Sequence, residues 1–296
     1  MRLLMLAAAL VAMAPVDSPT VKFDSNRAWE HLRRQVSFGP RPSGSAALNE
    51  CRQYILAQLK AAGIEGRQQV FMARTPLGET MMANIIGTIP GRHSERIILA
   101  SHFDTKRAPD FRFVGASDGA SSTATLLELG RALKGRQNEF TIELLFLDGE
   151  EAVNWEWRDP DNTYGSRHYV QAAQKAGGVS SIKALVLLDM VGDRNLTLRR
   201  DANSTPWLVE AIWNAAGRLG QRAVFSNELT TIEDDHMPFV RAGVPSVDLI
   251  DLDYPQWHTA QDDLDHVSAR SLQVVGDVVL GALPDIEMRL ASPPRR

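Results

Sequence analysis

Six side chains in the 296-residue sequence are of types that together can hold a metal ion and move a proton: His102, Asp118, Glu150, Glu151, Asp189 and His258. Each falls in a loop behind a short apolar run. Ile97 to Ala100 leads into Ser101-His-Phe-Asp104 and on to Gly115-Ala-Ser-Asp-Gly119, and the run ending at Leu147 leads into Asp148-Gly-Glu-Glu151. Ala184 to Leu188 leads into Asp189, and the run ending near Ile250 leads to Trp257-His258. Zinc takes imidazole nitrogen and carboxylate oxygen, and a catalytic site leaves one position open for water or substrate. His102, Asp118, Glu151, Asp189 and His258 meet that requirement. Asp104, two residues beyond His102, is placed to accept the other ring hydrogen and fix the tautomer. Glu150 can face the substrate while the adjacent Glu151 faces the metal, which suits a general acid and base. Singly these are weak signals, since an H-x-D step is commonly a surface pair and a Glu-Glu step a solvated turn. A purely structural reading leaves their joint appearance behind successive apolar runs unexplained.

The elements that must position these residues alternate in type. Apolar residues at helical spacing predict helices over Asn26 to Val36 and Ala46 to Ala62, the second closed by Gly63, with the turn-rich segment Phe38-Gly-Pro-Arg-Pro-Ser-Gly-Ser45 between them. Gln69 to Phe71 and Ala83 to Ile89 read as strands. Strands over Ile97 to Ala100, Ile142 to Phe146 and Ala184 to Leu188 then alternate with a helix ending at Leu133 and one near Arg167. A helix over Pro206 to Leu219, a strand over Ser246 to Ile250 and a last helix from Ser268 to about Leu283 follow, with Pro284 expected to end or kink it. This alternation predicts a single α/β domain, a mixed and mostly parallel sheet with helices on both faces. Ligands of such sheets sit at the carboxyl ends of the strands, where the six residues fall.

Composition narrows the function classes. With 44% hydrophobic and 23% charged residues the chain is ordinary for a globular protein, and a net charge of −4 offers no basic field to nucleic acid. Met1-Arg2 followed by the apolar stretch Leu3 to Ala14, ending Ala12-Met-Ala14, has the form of a secretory signal over residues 1–14. Pro15 would hinder cleavage directly after it. The stretch is shorter than the roughly 20 residues a membrane helix needs, so export without stable membrane insertion is expected. Cys51 is the only cysteine, which excludes an internal disulfide and a cysteine metal cluster.

Five segments, Ser101-His-Phe-Asp-Thr-Lys106, Gly115-Ala-Ser-Asp-Gly119, Leu147-Asp-Gly-Glu-Glu-Ala152, Tyr164-Gly-Ser-Arg-His168 and Leu188-Asp189, resemble the M28 zinc-hydrolase family, and the likeness spans about residues 30 to 290. Within that family, His102-Phe-Asp-Thr-Lys106, the tryptophans before Asp161-x-x-Tyr-Gly-Ser-Arg-His168, Glu233-Asp-Asp-His236 and Trp257-His-Thr259 resemble the glutaminyl cyclases more than typical aminopeptidases. The resemblance implies the zinc aminopeptidase-like fold in a catalytic domain over residues 26–290. It implies that Asp118, Glu151 and His258 bind zinc, that Glu150 shuttles the proton, and that Asp189 and Asp234 line the site. Trp257, with Trp155 or Trp157, would wall the pocket. Asp248 stands where animal glutaminyl cyclases usually carry a histidine, and it is expected to reshape the hydrogen bonds around the leaving ammonia. His236 is left to a structural role.

The expected activity is cyclisation of N-terminal glutamine in peptides to pyroglutamate. The alternatives are an M28 aminopeptidase and a non-catalytic binding module of the same fold. The two enzymes differ in metal count, because His102 and Asp189 are able to complete a second site. Intramolecular cyclisation needs no metal-bound water, so one zinc per chain is expected, with Asp189 hydrogen-bonded to Asp234. The partners expected are peptide N-termini, and the chain is expected to act as a monomer.

Overall fold

The computed structural model describes residues 22–292, so the leader expected at residues 1–14 lies outside the described residues. In chain order the elements are α1 (Ser25–Ser37), α2 (Ala46–Ala61), β1 (Glu65–Thr75), β2 (Gly78–Ile89), β3 (His93–His102), α3 (Ala120–Lys134), β4 (Phe140–Leu147) and α4 (Tyr164–Lys175). They continue, after a 3-10 turn, with β5 (Ile182–Asp189), β6 (Leu198–Asp201), α5 (Pro206–Arg218), β7 (Phe225–Thr230), α6 (His236–Arg241), β8 (Ser246–Ile250) and α7 (Ala269–Ala291). One six-stranded sheet runs β1-β2-β4-β3-β5-β8, parallel from β4 to β8, with β1 and β2 added antiparallel at one edge. β6 and β7 form a separate parallel pair.

Successive strand residues point to opposite faces, so a strand covered on both sides must be apolar at every position. Ile97, Leu99, Val186 and Leu188 enter one core with α1, α2, α3, α5 and α7. Ile98, Ala100, Leu185 and Leu187 enter a second core with Tyr169 and Val170 of α4 and Phe239 of α6. The four parallel strands therefore deliver their following loops to one edge of a three-layer body.

Local chemistry sets the element ends. The Asp24 carboxylate accepts the Asn26 amide to cap α1, and the Ser45 hydroxyl accepts the Leu48 amide to cap α2. Pro76 and Leu77 turn the β1–β2 hairpin, with Gly78 at φ 107°. The expectation that Pro284 ends the last helix is corrected, because α7 runs on through it to Ala291. Pro284 lies on the exposed side, while buried Leu283 and Ile286 keep both halves of the helix on the core. Cys51 is fully buried in α2, and burial pushes its thiol up to about 11. No helix among the described residues is long and apolar enough to cross a membrane.

Candidate metal centre and active site

Asp118 arrives in the loop between β3 and α3. That loop is held by the Asp262 carboxylate, which accepts the amides of Ser117 at 2.7 Å and Asp118 at 3.1 Å and the Tyr254 hydroxyl at 2.9 Å. Gly119 has φ 86°, and a Cβ there would lie 2.5 Å from the Asp104 carbonyl oxygen and 3.1 Å from His102 Cε1, so only glycine fits. Glu150 and Glu151 follow β4 directly, and their amides donate to the Asp104 carboxylate at 3.2 and 3.3 Å. Asp104 was expected to fix the His102 ring. It stands 3.5 Å from His102 Nδ1, which makes no hydrogen bond among the described residues, and its carboxylate holds the Glu150-Glu151 backbone instead. His258 adopts φ 51°, the left-handed region, among the rings of Trp257, Trp155 and Phe113 at 4.5, 5.7 and 5.8 Å.

Two groups of ligand-type atoms share Asp118. His258 Nε2 lies 3.4 Å from Asp118 Oδ2 and 3.3 Å from Glu151 Oε1. His102 Nε2 lies 3.2 Å from Asp118 Oδ1 and 3.0 Å from Asp189 Oδ1. Within each group the candidate ligand atoms lie within 4.8 Å of one another. The donor set of the first group, one imidazole and two carboxylates, fits a catalytic zinc, and buried Asp118 Oδ2 has no hydrogen-bond partner among the described residues. Its electrostatics agree. Burial lowers His258, but the carboxylates of Asp118 and Glu151 outweigh it and push the imidazole up to about 10. Asp118 is held well below the usual carboxylate range, because its histidine partners overcome the burial that would raise it. The acidic side chains around His258 and His102 thus hold strong opposite-charge contacts at this edge of the sheet.

Glu150 is buried beside this group with Oε2 3.8 Å from His102 Nδ1. Burial raises it well above its ordinary value; His102 opposes the rise, and the charges of Glu151, Asp234 and Asp189 add to it. Burial and then the Asp189 charge push Asp234 up to about 7. The expected hydrogen bond between Asp189 and Asp234 is not formed among the described residues. Asp189 Oδ1 accepts the Met190 amide at 2.7 Å and lies against His102, while Asp234 accepts the amide of Asp235. These two carboxylates meet as repelling charges.

The cavity over this floor has a volume of about 350 Å³. Asp118, Glu150, Glu151, Asp189, Asp234 and His258 line its base, and Trp157, Trp257, Ile232 and Leu252 its walls. Trp157 is 38% and Trp257 45% exposed, which places them at the mouth. Trp155, at 53% exposed, is not among the lining residues and packs on His258 from outside. Asp248 does not reach the cavity either. It lies buried beneath it, with Oδ2 3.6 Å from His236 Nδ1, and His236 Nε2 is 3.2 Å from Asp201. Asp248 therefore stands behind the site, coupled to it through Asp234 and through its neighbour His236. Sequence reading also missed Lys106. It is fully buried, donates to the Ala152 carbonyl at 2.9 Å and lies 3.6 Å from Glu151 Oε2. Its place in His102-Phe-Asp-Thr-Lys106 was the available signal.

The profile of Peptidase family M28 matches residues 84–283. The glutaminyl-peptide cyclotransferase-like protein of Bos taurus is 31% identical over 271 residues, covering 81% of this chain and 70% of the bovine protein. Among solved structures, the glutaminyl cyclase of an Acidobacteriales bacterium superposes with a TM-score of 0.88 at 38% identity, over 94% of this chain and 100% of that one. A Zn-dependent exopeptidase from Parabacteroides distasonis superposes with a TM-score of 0.81 at 26% identity, over 89% and 99% of the two chains. On fold, strand-end acids and sequence together, the chain belongs to peptidase family M28 and, within it, to the glutaminyl-peptide cyclotransferases.

Proposed function

We propose that this enzyme cyclises the N-terminal glutaminyl residue of peptides to pyroglutamate with release of ammonia, using one zinc per chain held by Asp118, Glu151 and His258. The observation that carries it is the cavity of about 350 Å³, with apolar walls and the protonatable Glu150 at its base beside the ligand group. Membership of the cyclotransferase family supports the same reading. Bound zinc supplies a Lewis acid for the γ-carboxamide oxygen. The cavity holds the glutamine side chain folded against its own α-amine, and such pre-orientation reaches effective molarities of roughly 10⁵–10⁸ M. Glu150 accepts the proton the amine loses as its nitrogen bonds to the side-chain carbonyl carbon. It returns that proton to the amide nitrogen as the carbon–nitrogen bond breaks and ammonia leaves. Burial first, and then the charges of Glu151, Asp234 and Asp189, raise the affinity of the Glu150 carboxylate for the proton it takes from the amine. Trp157 and Trp257 form the aromatic mouth that receives the rest of the peptide, with Trp155 packed behind them on His258.

His102, Asp118 and Asp189 also converge, and this favours a two-metal aminopeptidase as the second reading. Mass spectrometry of a glutamine-initiated peptide separates the two, since cyclisation removes ammonia and hydrolysis removes a residue. One zinc per chain with loss of ammonia is expected; two zincs with free N-terminal residues would overturn the cyclase. His258→Ala or Glu151→Ala should lose both zinc and activity while the protein stays folded. Residues 26–290 are taken as the catalytic domain, acting as a monomer on peptide N-termini after export directed by residues 1–14.

A further inference from the structure

The turn-rich segment between α1 and α2 carries a fully buried guanidinium, Arg41, that plays no part in the chemistry above. Its five side-chain hydrogen bonds all end on backbone carbonyls. Nη1 donates to Val114 at 2.8 Å, Gly39 at 3.1 Å and Gln35 at 3.3 Å, Nη2 to Gly115 at 3.3 Å, and Nε to Phe103 at 3.4 Å. The backbone adds two more ties, the Arg41 amide to the Thr105 hydroxyl at 2.9 Å and the Thr105 amide to the Arg41 carbonyl at 3.1 Å. Phe103 and Thr105 bracket Asp104, whose carboxylate holds the amides of Glu150 and Glu151. Val114 and Gly115 lie near the far end of the same loop, just before Asp118. One side chain thus ties both ends of the β3–α3 loop to the α1–α2 segment, and that loop carries Asp118 directly and holds the Glu150-Glu151 amides through Asp104.

Burying a charge is costly unless opposite charge compensates it, and arginine stays protonated in proteins. Burial lowers the Arg41 pKa, opposed by Cys51 and then by the charges of Asp262, Asp104 and Asp118, all three at or around the metal centre. The guanidinium therefore answers the acidic cluster through space while its planar fork fixes the loops. A lysine would retain the charge and lose the fork.

We propose that Arg41 is a positioning residue for the metal centre, setting zinc affinity by fixing the β3–α3 loop, which carries Asp118 and through Asp104 holds the Glu150-Glu151 backbone; the inference rests on the zinc site proposed above. Full-length wild type, Arg41→Met, Arg41→Lys and His258→Ala are stripped with a chelator and titrated with zinc alone. The readouts are zinc affinity and the rise in unfolding midpoint that zinc produces. Arg41→Met should bind zinc about 10- to 100-fold more weakly, the range typical of groups that orient ligands, and show a smaller zinc-induced rise. Arg41→Lys should fall between Met and wild type. Wild-type zinc affinity in Arg41→Met, with a midpoint lowered equally with and without zinc, would overturn the inference and leave Arg41 a purely structural staple. If Arg41→Met does not fold, Arg41→Lys decides, with weaker zinc binding supporting the inference and wild-type binding overturning it. A wild type that takes no zinc, or a His258→Ala variant that still takes it, overturns the zinc site itself and the inference with it.

Discussion

Glu150 owes its chemistry to its surroundings, because burial and then the charges of Glu151, Asp234 and Asp189 raise its affinity for a proton above that of a solvated glutamate. Glu150→Gln preserves shape and removes proton transfer. Turnover should fall by roughly 10²- to 10⁴-fold with zinc content unchanged, as steady-state kinetics and elemental analysis would show. A second buried acid gives a pH signature away from the metal. Asp251 accepts the amides of Thr197 at 2.9 Å and Asp253 at 3.1 Å, and burial pushes it up to about 7. In the unfolded chain an aspartate titrates near 3.9 (about), so the folded state keeps a proton that the unfolded state gives up. The stability contributed by the neutral carboxyl is complete below that lower value and is lost as pH rises through about 7. Asp251→Asn mimics the neutral form. Its unfolding midpoint relative to wild type should climb between about pH 4 and pH 7, and an unchanged difference would remove Asp251 from the stability profile.

Loops and helices show where sequence pattern suffices and where it does not. The continuous apolar runs in β3, β4, β5 and β8 were legible because both of their faces are covered, and the ligand-type residues were legible because they follow those runs. β1 was read as only Gln69 to Phe71, since its outer face meets water and its residues there are polar or mixed. β6, β7 and the six-residue α6 carry too short a pattern to stand out. Asp262, Lys106 and Arg41 escaped for another reason: their roles come from contacts with residues far along the chain, which spacing does not report. Gly119 was legible only as a turn. Its φ of 86° and the 2.5 Å approach to the Asp104 carbonyl make Gly119→Ala a direct test of loop geometry. That variant should lose at least about 2 kcal/mol in denaturant unfolding. In α7, Pro284 lacks an amide hydrogen and lies on the exposed side, so Pro284→Ala should stabilise the protein by about 1–3 kcal/mol, read as a higher urea midpoint with an unchanged slope.

At the scale of the whole molecule, the two cores on either side of the sheet are built without the metal centre, which occupies one edge. Chelation should abolish activity and leave the far-ultraviolet circular dichroism spectrum unchanged, with zinc restoring turnover; collapse of the spectrum would show that the ion holds the fold together. The single thiol has a different reach. Cys51 is sealed in α2 with its pKa raised to about 11, so it is neither a nucleophile nor a partner for another sulfur. The covalent connectivity of the chain is therefore the same in reducing and oxidising surroundings. Preparation with or without a reductant yields one and the same molecule, with no isomerase, shuffling step or reductant-sensitive state between the two.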